Sequence, residues 1–213
     1  MARLASHLHE TEDDFGRSVW LGGPTRHVTS LSIAIASALC AEALGVNPVA
    51  CASWIGIGGP ASVVLSIGVG LCLGATAIAA SRVIVRHARW ARTVCVALRP
   101  PLSGAAEGTL VTTAIGTAVG EELLFRGLLV PVLGILGSSI VFGAAHQLRG
   151  EGRWGWMAWA TAMGLLFGTV FVATGSLAGA VVAHAAINLY NSRFLRDFSL
   201  AAPVRPLGGL LRR

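Results

Sequence analysis

The stretch Gly120-Glu-Glu-Leu-Leu-Phe-Arg-Gly127 sets three ionisable side chains, Glu121, Glu122 and Arg126, between two long apolar runs. A charged group at the centre of a lipid-embedded helix costs about 2.5–3.5 kcal/mol on insertion scales. Such a segment persists only if its charges are paired or put to use. The rest of the chain shows that lipid is the right reference solvent. Of 213 residues, 54% are hydrophobic and 12% charged, whereas soluble domains carry about 25% charged residues. Apolar stretches of roughly span length recur near 28–46, 60–81, 108–130, 131–149, 156–174 and 176–192. The expected fold class is all-α: a polytopic transmembrane helix bundle of about six spans, with a core of four helices.

Pro60 and Pro131 suit the first turn of a helix, where a missing N–H costs little. The Gly-rich stretch Val49 to Gly59 fits a re-entrant or an interfacial piece. The N-terminus is polar and acidic rather than basic-then-apolar, so no cleavable signal peptide is expected. Cys40, Cys51, Cys72 and Cys95 lie in or beside apolar runs without metal-ligand spacing, and read as small buried hydrophobes.

All 16 basic residues are arginine, and the net charge is +6. The arginines do not form a nucleic-acid-binding face. They fall between the apolar runs: Arg3, Arg17 and Arg26 before the first; Arg82, Arg86, Arg89, Arg92 and Arg99 after the second; Arg149 and Arg153 after the fourth; Arg193, Arg196, Arg205, Arg212 and Arg213 after the sixth. The rule that cytoplasmic loops are positive then puts both termini inside, in a cell inner or plasma membrane. Trp20, Trp90, Trp154 and Trp156 gather near the same boundary. In the 82–99 segment, the spacing of Arg82, Arg86, Arg89 and Arg92 predicts one basic helical face, either along the inner leaflet or as a stop-transfer anchor. Gly70 with Gly74, Gly164 with Gly168, and Gly175 with Gly179 are spaced for close helix approach. Only Arg126 stands apart from the charge pattern.

Four polar groups fall in the apolar runs: Glu121, Glu122 and Arg126; His146; His184 with Asn188; and Glu42 alone. Glu122 and Arg126 are i,i+4 neighbours and can pair within one helix, whereas Glu121 points about 100° away. A structural role accounts for the pair and leaves Glu121 without a partner on its own helix. If the third and fourth runs form a hairpin with its tip between Pro131 and Gly137, Glu121 and His146 lie at similar depth, roughly 18–20 Å from the tip. His184 and Asn188 share a helical face, roughly 12–18 Å from the Gly175–Ser176 turn. A carboxylate, two imidazoles and a carboxamide thus converge from three helices. Singly, a buried histidine can bond a neighbouring carbonyl and an asparagine can tie helices together; Glu42 reads as a snorkelling or protonated group.

The three clusters resemble the motifs of the CPBP family, the CAAX-protease and bacteriocin-processing (Abi) group of intramembrane endopeptidases. They stand here as Glu121-Glu122-Leu123-Leu124-Phe125-Arg126, Phe142-Gly143-Ala144-Ala145-His146 and His184-Ala185-Ala186-Ile187-Asn188. The resemblance covers about 108–192. It implies a glutamate-type protease in which Glu121 and His146 activate a water while His184 and Asn188 donate to the oxyanion. Glu122, Arg126 and Phe142 would support them. It also implies a membrane-anchored protein or peptide substrate: a prenylated C-terminal tail, a bacteriocin leader or a C-terminal sorting tail. Lysine-free, Arg/Ala/Gly-rich composition suggests a GC-rich bacterial genome, which weighs against the prenylated class.

No cofactor is expected, since the zinc signature HExxH is missing and asparagine is a poor zinc ligand; a zinc alternative would use Glu121, His146 and His184. A proton-coupled transporter or a non-catalytic membrane scaffold could use the same buried groups, though a transporter calls for polar residues along a whole path. The expected organisation is a cytoplasmic segment 1–27, accessory helices with a basic interfacial segment 28–107, the catalytic core 108–192 and a cytoplasmic basic tail 193–213.

Overall fold

The computed structural model describes residues 23–198. The segment expected before the first span, with Arg3, Arg17 and Trp20, and the tail with Arg205, Arg212 and Arg213, lie outside the described residues. Every named element is a helix: α1 (Gly23–Ala43), α2 (Gly59–His87), α3 (Arg89–Leu98), a 3₁₀ turn (Pro100–Leu102), α4 (Glu107–Glu122), a π-helical segment (Leu123–Leu129), α5 (Val130–Ala145), α6 (Arg153–Thr174) and α7 (Ala178–Asp197). Among the described residues there is no strand, and Ala50 and Ser176 form an isolated antiparallel bridge. The protein is an all-helical membrane bundle. The runs Gly59–His87, Glu107–Ala145 and Arg153–Thr174 are long and apolar enough to cross a bilayer.

Large apolar side chains cover much of the outside, and small or hydroxyl residues make many of the inner contacts beside buried rings such as Phe167 and Phe171. On α2 the buried face is Ser62, Ser66, Gly70, Gly74 and Ala77, while Val64 and Leu71 point outward. Lipid tails are as apolar as leucine, so helices gain little by burying leucine against one another; they gain by close backbone approach and by hydrogen bonds. Both occur where α2 meets α7. A methyl group on Gly70 would strike the backbone of Gly179. Ser66 Oγ accepts from Gly179 N at 2.9 Å and donates to Ser176 O at 2.9 Å. Ser62 Oγ donates to Thr174 O at 2.5 Å. On α6, Gly164 and Gly168 leave 3.0 Å to Ser139 Cα and 2.9 Å to Ile135 Cγ2 for an added methyl. The expected pair of Gly175 and Gly179 is not a stripe. Gly175 ends α6 in the left-handed region at φ 75°, and Gly179 alone makes the interhelical contact.

The long run that starts at Glu107 turns back at Gly134, whose φ of 71° and ψ of 172° belong to a region open in practice only to glycine. The second leg is short. From Gly134 to the end of α5 at Ala145 it rises about 18 Å, well under the roughly 30 Å of a hydrocarbon core. The fourth stretch, expected as 131–149, is therefore a partial helix that stops at His146. The stretch from Val49 to Gly59 is a strap over the α6–α7 turn. Cys51 N donates to Gly175 O, Leu177 N to Val49 O and Trp54 N to Val172 O, at 3.0–3.1 Å.

The single basic face expected over 82–99 is broken. The helix stops at Ala88, with φ −103° and ψ 127°, so Arg82 and Arg86 belong to α2 while Arg89 and Arg92 belong to α3. Two of the four turn inward. Arg82 bonds Asn191 Oδ1 at 2.8 Å and Tyr190 O at 2.9 Å, and Arg92 bonds the carbonyls of Val85 and Arg86 at the end of α2. At the same end, Glu107 receives Arg193 Nε at 2.7 Å and Arg196 Nη1 at 3.1 Å, which ties the start of α4 to the end of α7.

Overpacking a tight contact costs about 1–3 kcal/mol, whereas Gly-to-Ala in an exposed helix gains up to about 1 kcal/mol. Gly70→Ala should therefore lower the thermal unfolding midpoint of the purified protein in detergent. Gly68→Ala, where an added methyl meets nothing within 4 Å, should leave it unchanged or raised.

Candidate active site

The reversal at Gly134 pairs the π segment with α5. Ser138 Oγ donates to Phe125 O at 2.6 Å, and the rings of Phe125 and Phe142 meet edge-on at 4.8 Å. One turn further along both legs, Glu121 Oε2 stands 3.8 Å from His146 Nε2. Helix α7 runs antiparallel to α4 and brings His184 Nε2 to the same 3.8 Å from Glu121 Oε2. The convergence expected from the hairpin arithmetic is present. His146, however, is not inside a helix: it is the residue that ends α5, at φ −90° and ψ 41°, so its side chain is set by a chain end rather than by a helical face.

Beneath this triangle lies a fully buried ion pair. Glu122 and Arg126 are 0% and 1% exposed, and Arg126 Nη1 donates to Glu122 Oε1 at 3.0 Å. The other arm of the guanidinium reaches Gly164 O at 3.3 Å, and its carbon lies 4.4 Å from the centre of the Phe142 ring and 5.2 Å from that of Phe167. The local π-helical winding buries Phe125, Arg126 and Gly127 in succession, which a regular 3.6-residue helix on a single packing face would not do. The intrahelical pair was legible from its spacing. Its second partner was not: His184 Nδ1 also bonds Glu122 Oε1, at 2.7 Å.

These contacts settle the imidazole tautomers. A carbonyl only accepts, so His146 Nδ1, 2.8 Å from Phe142 O, carries hydrogen. His184 Nδ1 likewise donates to the Glu122 carboxylate. In the neutral rings each Nε2 is then a bare lone pair. Two lone pairs and a carboxylate oxygen therefore face one another, and Glu121 Oε2 is buried without a hydrogen-bond partner. A donor such as a water belongs among them.

Aromatic side chains hold the rings. Phe142 lies 4.3 Å from the His146 ring and 6.0 Å from that of His184, and Phe167 stacks on His184 at 5.3 Å. Phe167 had no sequence signal, since one phenylalanine in an apolar helix looks like any other. Asn188 is one turn along α7 from His184, and its Nδ2 donates to Thr117 Oγ1 at 3.2 Å. Glu42 stands apart, exposed near the end of α1.

Glu121, His146 and His184 were also the set considered for zinc. Tetrahedral zinc ligands at 2.0–2.1 Å would stand roughly 3.3–3.4 Å from one another, closer than the two 3.8 Å separations here. Among the described residues no group of three or more His, Cys, Asp or Glu side chains is drawn together tightly enough to hold a metal ion. A water also fits this spacing: an oxygen about 2.8 Å from each of two atoms can bridge 3.8 Å.

No curated protein and no solved structure matches the chain. A family model does, over residues 106–190: Rce1-like, described as type II CAAX prenyl endopeptidase Rce1-like. That span holds all three motifs and every member of the triangle. Over 106–190 this chain is therefore similar to the type II CAAX prenyl endopeptidases that the model describes.

Proposed function

We propose that this chain is a glutamate-type intramembrane endopeptidase that cuts a peptide bond of a membrane-associated protein near its lipid-anchored end. The observation that carries the reading is the buried, unpartnered Glu121 Oε2 with an imidazole Nε2 on either side at 3.8 Å. A water placed between Glu121 and His146 gives one hydrogen to Oε2 and the other to His146 Nε2. Glu121 takes the proton as the water oxygen attacks the scissile carbonyl, and returns it to the departing amine as the C–N bond breaks.

The carbonyl oxygen becomes an oxyanion in that step. His184 can donate to it from Nε2 only when both ring nitrogens carry hydrogen, and Glu122 on Nδ1 supplies the countercharge for that form. Asn188 Nδ2 is the second donor of the proposal. Such donors are worth most where bulk water is excluded, typically 10²–10³-fold in rate for one of them. No step in this sequence calls for a metal. The positive-inside rule places the arginine-rich ends, and His146 with them, toward the cytoplasmic face of the membrane.

The reading is tested on purified protein with a quenched fluorogenic CAAX peptide, farnesylated on its cysteine, beside the same peptide without the farnesyl group. Glu121→Gln keeps the shape and removes the base; cleavage should fall by about 10²–10⁴-fold while the thermal midpoint holds. Wild-type protein that cuts neither peptide, or a Glu121→Gln variant as fast as wild type, would reject the proposal.

Arg126→Met should behave differently, because it leaves Glu122 buried against His184 without its counter-ion. Breaking a buried pair from one side costs about 3–5 kcal/mol, so stability and activity should fall together. A midpoint equal to wild type would contradict the assigned role of the pair. Pre-incubation with a strong zinc chelator should leave the rate unchanged; loss of activity restored by added zinc would favour the metal alternative.

A further inference from the structure

Thr117 sits one helical turn before Glu121 on α4. Its hydroxyl donates to Thr113 O at 2.8 Å, with Ala114 O further off at 3.4 Å. A hydroxyl has one hydrogen and two lone pairs. With that hydrogen committed to its own helix, Thr117 Oγ1 can only accept from a neighbouring helix. The neighbour is Asn188, at 3.2 Å.

This arrangement decides which end of the carboxamide faces α4. If Oδ1 were turned toward Thr117, two acceptors would meet and the amide would rotate away. The nitrogen is therefore the end held at α4. Nδ2 has two hydrogens, of which Thr117 takes one, and the other remains available on the side chain one turn from His184. A carboxamide rotated by 180° would present Oδ1 instead, and an oxygen lone pair repels an oxyanion.

We propose that Thr117 is a positioning residue for the hydrolysis: its hydroxyl locks the Asn188 amide in the orientation that donates. The inference rests on the endopeptidase reading above and adds a residue outside the three motifs. Thr117 touches neither the water nor the substrate. It acts through Asn188 alone.

The test uses the full-length protein in detergent and the same peptides. Thr117→Val keeps the β-branched shape and deletes the hydroxyl. It should lower kcat about tenfold with KM little changed, since the amide still samples the donating orientation part of the time. Thr117→Ser restores the acceptor and should restore kcat. Asn188→Ala should lose more, on the scale of one oxyanion donor, about 10²–10³-fold, and adding Thr117→Val to it should cost nothing further.

An activity-independent readout is the side-chain amide resonance of Asn188, assigned by its loss in Asn188→Asp; it should move in Thr117→Val and hold in Thr117→Ser. Wild-type kcat in Thr117→Val overturns the proposal. So does a serine variant as slow as the valine one, a further loss in the Asn188→Ala background, or an unmoved resonance. Glu121→Gln, run beside these, separates the two ideas. If it is inactive while Thr117→Val is normal, only the role of Thr117 fails; if it is fully active, the hydrolytic reading fails with it.

Discussion

A carboxylate in a lipid interior survives only with a countercharge, and Glu122 meets that demand through one oxygen. Oε1 receives the guanidinium of Arg126 from its own helix and the imidazole of His184 from another, in a setting 0% exposed. Three consequences follow from this one constraint. It ties α7 to α4, because the His184 imidazole bonds the buried carboxylate. It puts the hydrogen of His184 on Nδ1, which leaves Nε2 for the neighbouring acid. It also commits the second of two adjacent glutamates to structure, so the first, about 100° around the helix, is left to face the two imidazoles.

The frame around this contact is built by the rules of lipid rather than of water. Large apolar side chains such as Val64, Leu71, Ile115 and Leu136 face outward. Small and hydroxyl residues meet inside: Gly70 against Gly179, Gly164 against Ser139, Ser66 across to Ser176 and Gly179. Close approach allows a short helix to matter. Because α5 stops at Ala145, the imidazole of His146 projects from a chain end beside Glu121, 25% exposed where His184 is 6% exposed. One histidine is thus set at a helix end and the other in the packed core, which matches the division of labour proposed for them: water on one side, oxyanion on the other. Thr117 extends the same logic, since its hydroxyl joins a backbone carbonyl on α4 to the amide on α7.

Much of this was already readable in the residues. Apolar runs of roughly span length in a chain with 12% charged residues call for membrane helices, which satisfy their backbone groups within their own segment. The i,i+4 spacing of Glu122 and Arg126 identified their pair, for that geometry is intrahelical and needs no fold. The hairpin of Glu121 and His146 followed from equal distances to a glycine-rich tip. By contrast, the basic face expected across 82–99 and the span expected across 131–149 both failed for one reason. Each assumed an unbroken helix, and the breaks at Ala88 and at His146 lie in runs whose composition carries no terminator strong enough to mark them.

The sequence by itself therefore determined the solvent, the helical class and which side chains were too costly in lipid to be idle, since those depend on composition and on spacing within one helix. Only the tertiary structure decided that Glu122 holds His184 as well as Arg126, that Phe167 stacks on one imidazole and that Asn188 meets Thr117. Each of those contacts joins residues on different helices, and the rotation of one helix about its axis relative to another is set by packing that no local pattern encodes.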